Sequence, residues 1–229
     1  MSSKDLLRTM LTVAVVPVAL APASTAAPSD QQLSGRALLV LGATGEDVTK
    51  TQQQLTKIGI SVAVTGTYDG ATVKAVKQFQ SKFGYREVGD LTDAQQRKLN
   101  SLASIGVPKK CLRAKAIICG DETLRIIRFY KNGKIKVEAD ARYFAKDGPV
   151  PPGNYRVQSK DRFLISGISG TPMPFSVFFS GNRAIHYSQV FADHGYDSAS
   201  LGCVGLRDKN KAKRIFNLSK IGTPFKLVK

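Results

Sequence analysis

The stretch AIHYSQVFADHGYDSASLGCVGLRD, Ala184 to Asp208, decides how the chain is read. An apolar run ends in His186, and Cys203 stands in the turn Ser200-Leu201-Gly202-Cys203. The chain holds 2 histidines and 3 cysteines, so a His and a Cys this close concentrate its scarce chemistry. A cysteine attacks as a thiolate, and a neighbouring imidazole is the common means of producing one. A glycine beside the thiol lets backbone N–H groups approach a substrate carbonyl and its developing oxyanion. A lone cysteine is otherwise a small buried hydrophobe; the order His, then Ser-x-Gly-Cys, favours the reactive reading. His194, in the loop-like stretch Ala192-Asp193-His194-Gly195-Tyr196, is the rival base and reads as a pocket-rim or solvated residue.

Outward from this stretch the pattern is that of short strands. Thr123 to Tyr130 and Lys134 to Tyr143 flank Asn132-Gly133, the strongest short hairpin signal. Ile135, Val137, Ala139, Ala141 and Tyr143 fall on one face. Further strands are expected at Asn154 to Gln158, Phe163 to Ser166, Phe175 to Phe179, Arg183 to Tyr187 and Phe225 to Val228. Pro149-Val150-Pro151-Pro152-Gly153 interrupts them. Many short strands with Gly/Pro turns predict a sandwich or barrel. One helix is expected at about Lys209 to Leu218, with Asp208 as its cap.

His186-Tyr187-Ser188 followed by Ser200-Leu201-Gly202-Cys203-Val204-Gly205 resembles the active-site motif of the L,D-transpeptidases, secreted enzymes that cross-link peptidoglycan. Pro151-Pro152-Gly153-Asn154-Tyr155 and Thr171-Pro172-Met173-Pro174-Phe175 resemble two further segments of that family. Two positions depart from it: Leu201 replaces the family's His, and Gly205 replaces its Asn or Arg. The resemblance implies Cys203 as nucleophile and His186 as base, with the Tyr187 carbonyl orienting the imidazole. It assigns the oxyanion to backbone N–H groups around Leu201, Gly202 and Cys203, with Ser200 beside them. Met173, Phe175, Tyr187 and His194 would line the substrate groove, with packing inside the sandwich an equal alternative for Phe175 and Phe179. Three activities fit: transpeptidation on stem tetrapeptides through a Cys203 thioester, L,D-carboxypeptidation with water as acceptor, or wall binding by a degenerate domain.

Residues 44–102 follow a helical period instead. Helices are expected from Glu46 to Ile58, from Ala71 to Lys82, and from a Thr92 cap with Gln95 as its capping box to about Leu102. This segment resembles the small peptidoglycan-binding domain of wall enzymes, which makes Gln52, Asp69, Gly70, Phe79 and Gln80 its candidate binding residues. The fold class expected is therefore α+β and multidomain: a small three-helix domain, then a mainly-β sandwich or barrel-like catalytic domain.

Lys4 and Arg8 precede the apolar run Met10 to Leu20, and small residues follow, Ala21 to Ala27. This predicts a signal peptide over 1–26 and secretion to the cell wall or another extracytoplasmic space. The run is too short to span a bilayer comfortably, and no lipid-anchor cysteine occurs in the first 30 residues. The remaining divisions are a linker at 27–43, a linker at 103–110 and a catalytic domain at 111–229. In an oxidising compartment Cys111 and Cys119 are placed for a local disulfide, which leaves Cys203 as the odd thiol. The net charge of +17, spread along the chain, suggests anionic wall polymers besides peptidoglycan. No nucleic-acid motif, cofactor signature or metal-ligand cluster is present in the sequence.

Overall fold

The computed structural model describes residues 37–143, 150–167, 169–197 and 202–229. The expected signal peptide, most of the first linker, Ser200 and Leu201 lie outside the described residues.

The described residues open with a short strand, β1 (Ala37–Leu39), inside the stretch expected to be linker. Three helices follow: α1 (Glu46–Lys57), α2 (Gly70–Lys82) and, after strand β2 (Leu91–Thr92), α3 (Asp93–Ala103). β1 pairs antiparallel with β2, so the segment ahead of the helices is stitched to the start of α3. Each boundary has a local cause. Gly59 lies just past α1 with φ +88°, a left-handed conformation natural to glycine. The Asp69 carboxylate accepts from Thr72 N at 2.8 Å at the start of α2. Thr92 and Gln95 form the full capping box ahead of α3. The helices enclose one core of Val48, Leu55, Ile58, Val76, Phe79 and Leu99.

A fourth, short helix, α4 (Lys109–Arg113), occupies part of the second expected linker and carries Cys111. It leads into β3 (Ala116–Asp121), a strand the sequence reading did not single out. Cys111 and Cys119 are joined in a disulfide that ties α4 to β3. The expected strand from Thr123 starts later, because residues 122–125 form a turn in which Asp121 Oδ1 accepts from Leu124 N at 2.8 Å. The hairpin is then β4 (Ile126–Lys131) and β5 (Lys134–Arg142), with Asn132 at φ 51° and Gly133 at φ 72°. Two consecutive positive φ values are what a tight primed turn demands, hence Asn-Gly. Ile135 departs from the expected face. Phe129 pairs with Val137 but Tyr130 with Ile135, so an extra residue in β5 breaks the alternation and Ile135 is 50% exposed.

The remaining elements are β6 (Gly153–Arg156), β7 (Ser159–Ile165), β8 (Pro172–Ser180), β9 (Arg183–Tyr187), α5 (Gln189–His194), a single 3-10 turn (Gly195–Asp197), β10 (Val204–Leu206), α6 (Lys209–Leu218) and β11 (Pro224–Val228). Asp208 caps α6 by accepting from Lys211 N at 2.9 Å. Nine strands form one mixed sheet in the order β6-β11-β3-β4-β5-β10-β9-β8-β7. Its two end strands are consecutive in the chain. Only Val157 and Gln158 separate them: Val157 N donates to Thr223 O beside β11, and Gln158 N donates to Phe178 O on β8. The sheet therefore curls into a barrel-like shape. Tyr155 of β6 meets Phe179 of β8 edge-on at 5.2 Å, and Phe225 of β11 packs on both. Inward residues of the strands, including Ile127, Val137, Val177, Ile185, Val204 and Leu227, share one core with Ile215 and Phe216 of α6.

The two halves meet through buried polar groups. Lys82 of α2 is fully buried and its Nζ lies 2.7 Å from Asp140 Oδ1 of β5. Gln78 donates to the other Asp140 oxygen at 3.2 Å, and Arg207 lies 3.5 Å from it. Arg125 donates to the Lys82 carbonyl and Arg128 to the Lys57 carbonyl. A Cβ added at Gly59 would meet Ile126 Cγ2 at 2.9 Å, so this glycine also permits the close approach of the halves.

Candidate active site

β9 and β10 run parallel, with Gly205 beside His186 and Leu206 beside Tyr187. Parallel neighbours need a crossover, and α5 with the following 3-10 turn provides part of it. Ile185, Val204 and Leu206 face the barrel core. By the alternation of strands, Ala184, His186 and Gly205 face the other way. Cys203 precedes β10 by one residue and packs with Ala184 and Met173 in a separate small cluster. His186 and Cys203 thus share one face as diagonal neighbours, each only 9% exposed.

His186 Nδ1 lies 2.6 Å from the carbonyl oxygen of Tyr187. A carbonyl only accepts, so Nδ1 carries the proton and Nε2 is left with its lone pair. Burial pushes the His186 pKa below the usual imidazole value; the contact to Tyr187 O opposes this, and the Arg142 charge reinforces it. Cys203 stands outside the disulfide, and its Sγ lies 3.8 Å from Asn182 O. Burial pushes the thiol up, against a hydrogen bond from the Ala184 backbone and the charge of Arg183. Both shifts favour a neutral resting pair, a thiol and an imidazole, over a preformed thiolate–imidazolium pair.

Gly202 has φ +93°, in the left-handed region, and it turns the chain into Cys203 without steric strain. At Gly205 the reason for glycine is space: an added Cβ would meet Ser188 Cβ at 3.2 Å and Phe191 Cδ1 at 4.0 Å. Ser188 caps α5 by accepting from Phe191 N at 3.2 Å, so the helix start occupies the room that a side chain at 205 would need. The same row holds a guanidinium from another strand. Arg142 of β5 pairs with Gly205, is almost wholly buried, donates to Gly195 O at 3.3 Å and lies 5.1 Å from the Phe191 ring centroid. Sequence reasoning missed Arg142; its signal was a charge breaking the apolar end of β5, between Ala141 and Tyr143.

The expected groove residues divide. Met173 lies in the cluster with Cys203. Phe175 does not line a groove: it has φ 62°, belongs to the barrel core and meets Phe216 edge-on at 6.0 Å. That left-handed residue inside β8 breaks the alternation, which is why Phe175 turns inward while Met173 turns to the cysteine. Tyr187 is half-buried and donates from its hydroxyl to Gln189 at 2.8 Å. His194 is exposed in the last turn of α5, not in a loop.

The candidate binding residues of the helical half are mostly scaffold. Gln52 is fully buried: its Nε2 donates to Thr65, Thr67 and Thr72, and its Oε1 accepts from Thr65 N and Gly66 N. Gln80 is likewise buried and joins Gly89, Asp90 and Gln95. Phe79 is in the core, Asp69 is a helix cap, and Gly70 is the exposed first residue of α2. A side chain whose polar atoms are all engaged has none to offer a ligand. Gln52, Phe79 and Gln80 fix the shape of the domain, and of the five only Asp69 and Gly70 reach the surface. Among the described residues no group of three or more His, Cys, Asp or Glu is arranged to hold a metal ion, and no helix is long and apolar enough to cross a membrane.

Comparison with known proteins agrees with both halves. Residues 44–99 match the model of a putative peptidoglycan binding domain, and residues 115–227 match that of the L,D-transpeptidase catalytic domain. The fold resembles an L,D-transpeptidase from Stackebrandtia nassauensis, with TM-score 0.58, 18% identity, and coverage of 86% of this chain and 97% of that one. An L,D-transpeptidase from Xylanimonas cellulosilytica matches with TM-score 0.46 and 22% identity over 83% of this chain and 97% of that one. One from Mycobacterium smegmatis matches with TM-score 0.45 and 18% identity over 51% of this chain and 59% of that one. A sequence search of curated proteins found no match. The chain therefore joins an N-terminal domain of the putative peptidoglycan-binding family to a catalytic domain of the L,D-transpeptidase family.

Proposed function

We propose that this protein is a secreted cysteine acyltransferase that cross-links peptidoglycan stem peptides. The observation that carries the reading is the contact of His186 Nδ1 with the Tyr187 carbonyl at 2.6 Å. It leaves Nε2 basic on the face that Cys203 shares. Nε2 takes the proton from the thiol as Sγ attacks the carbonyl carbon of the third residue of a stem tetrapeptide. The scissile C–N bond breaks, the terminal D-alanine leaves with the proton from His186, and a thioester remains. The amine of a second stem then attacks the thioester and releases the thiol. Backbone N–H groups at Gly202 and Cys203 are the donors for the oxyanion. If water replaces the amine, the same steps give an L,D-carboxypeptidase. Secretion rests on the leader-like first 26 residues.

A catalytically silent wall-binding protein is the second reading, favoured by Gly205, where α5 fills the space of the family's polar side chain. Incubation with purified disaccharide-tetrapeptides, followed by mass analysis, separates the three. Cross-linked dimers support transpeptidation, and tripeptides alone support carboxypeptidation. Absence of both in wild type and in Leu201→His, with sacculus binding retained, supports the silent domain.

A further inference from the structure

Basic residues occur along the whole chain, as expected, but the net charge is unevenly divided. Residues 37–108 carry 8 Lys and Arg against 6 Asp and Glu, a net of +2, whereas residues 109–229 carry 23 against 9, a net of +14. Within the second group, segments 109–120, 124–137 and 209–229 contain no Asp or Glu. The fold gathers these segments around the tip of the β4–β5 hairpin. A Cβ at Gly133 would meet the Leu112 carbonyl oxygen of α4 at 2.6 Å, so α4 lies directly against the turn. Arg214 of α6 donates to the Lys136 carbonyl at 2.9 Å and joins the helix to β5.

Between the hairpin and α6 lies a cleft of about 640 Å³. Lys131, Lys134, Lys136 and Arg214 line it together with Asn132 and Asn217, and Leu218 is its one apolar lining residue. No carboxylate or aromatic ring is among the lining residues. We propose that this cleft binds a linear polyanion with a phosphodiester repeat, of the polyol-phosphate kind, at a place separate from the cysteine site. Four like charges around one concavity raise a positive potential that only an anion relieves. Four cations match a ligand with repeating charge better than a single stem carboxylate, which engages one or two. Asn132 and Asn217 offer donors and acceptors for the hydroxyls of a polyol. The lack of aromatic side chains removes the stacking platform that single-stranded nucleic acid uses. The cleft sits at the start of β5, while Arg142, its last residue, pairs with Gly205. The strand between them spans roughly 25 Å. A polymer held in the cleft therefore leaves the cysteine face open.

The test is titration of the full chain into fluorescently labelled synthetic poly(glycerol phosphate), read by anisotropy at several salt concentrations. Parallel arms use an oligo-dT of equal charge and phosphatidylglycerol vesicles. Binding should fall with salt at a log–log slope of about −3, as expected for four single-strand phosphate contacts. Lys131→Gln/Lys134→Gln/Lys136→Gln/Arg214→Gln should weaken it at least 10-fold and flatten the slope. Lys50→Gln/Lys74→Gln/Arg97→Gln/Lys98→Gln removes the same charge from exposed positions of the helical half and should change affinity less than 2-fold. Thermal melts of both variants confirm that they are folded. Equal losses in the two variants, or oligo-dT or vesicles binding as tightly as the polymer, overturn the proposal, as does absence of binding. Turnover is not read, so the outcome is independent of the cysteine chemistry.

Discussion

The helical half and the β half use polar residues in opposite ways. In residues 37–108 the charges nearly cancel, at +2, and the polar side chains most suggestive of binding, Gln52 and Gln80, are buried and fully bonded. In residues 109–229 the net charge is +14, much of it exposed around one hairpin tip, and the scarce chemistry sits where β9 meets β10. The domain that resembles a binding module thus has little charge with which to attract an anionic wall, and the domain that resembles an enzyme has a great deal. Any grip of the helical half on peptidoglycan rests on shape and uncharged hydrogen bonds. Electrostatic attraction belongs to its partner.

Cys203→Ala separates the halves most sharply. Acyl transfer and acylation by a carbapenem-type inhibitor should fall by at least about 1,000-fold, because the proposed nucleophile is gone. Intact-mass measurement reads the first effect, and a pull-down with sacculi should be unchanged. An unacylated wild-type protein would remove the enzyme reading altogether. His186→Gln should lower turnover by about 100- to 10,000-fold while leaving Cys203 in place.

The same site predicts a pH dependence. Burial lowers the His186 pKa, so the imidazole stays neutral and able to accept a proton below its ordinary value of 6.5. The acid limb of the turnover profile should therefore lie below pH 6.5. Burial raises the thiol, so alkylation of Cys203 by iodoacetamide should still be gaining rate above pH 9. A plateau near neutral pH would show a stabilised thiolate and contradict the neutral pair.

Lys82→Met tests whether the two halves are one cooperative body. It leaves Asp140 buried without its nearest cation and should cost about 3 kcal/mol of stability. A thermal melt should show both halves destabilised together. Adding Asp140→Leu should recover much of the loss, since the unpaired charge is then removed as well. Separate transitions, with only the helical half affected, would make the contact peripheral. The smallest effect expected is at Gln52→Ala, which strands buried donors and acceptors at a cost of about 1–3 kcal/mol. Sacculus binding by the protein still folded should be unchanged. A selective loss of binding without loss of stability would return Gln52 to the ligand surface.

Local chemistry made much of this protein legible in its sequence. Asn132-Gly133 specified a hairpin because a tight primed turn needs two positive φ values. Thr92 with Gln95, and Asp208, marked helix starts because orphan backbone N–H groups need nearby acceptors. His186 and Cys203 stood out through rarity and motif. Other features depended on partners far away in sequence. An extra residue in β5 turned Ile135 outward, a decision made by pairing with β4. Phe175 left the groove because one left-handed residue reversed the facing of β8. Gln52 and Gln80 became scaffold only once loops folded around their amides. Arg142 reached the His186 row because β5, β10 and β9 lie side by side, an order that no local period encodes. Turns, caps and reactive side chains follow from residues within a few positions of one another. Facing, burial and the company a charge keeps follow from strand pairing, which joins residues tens of positions apart.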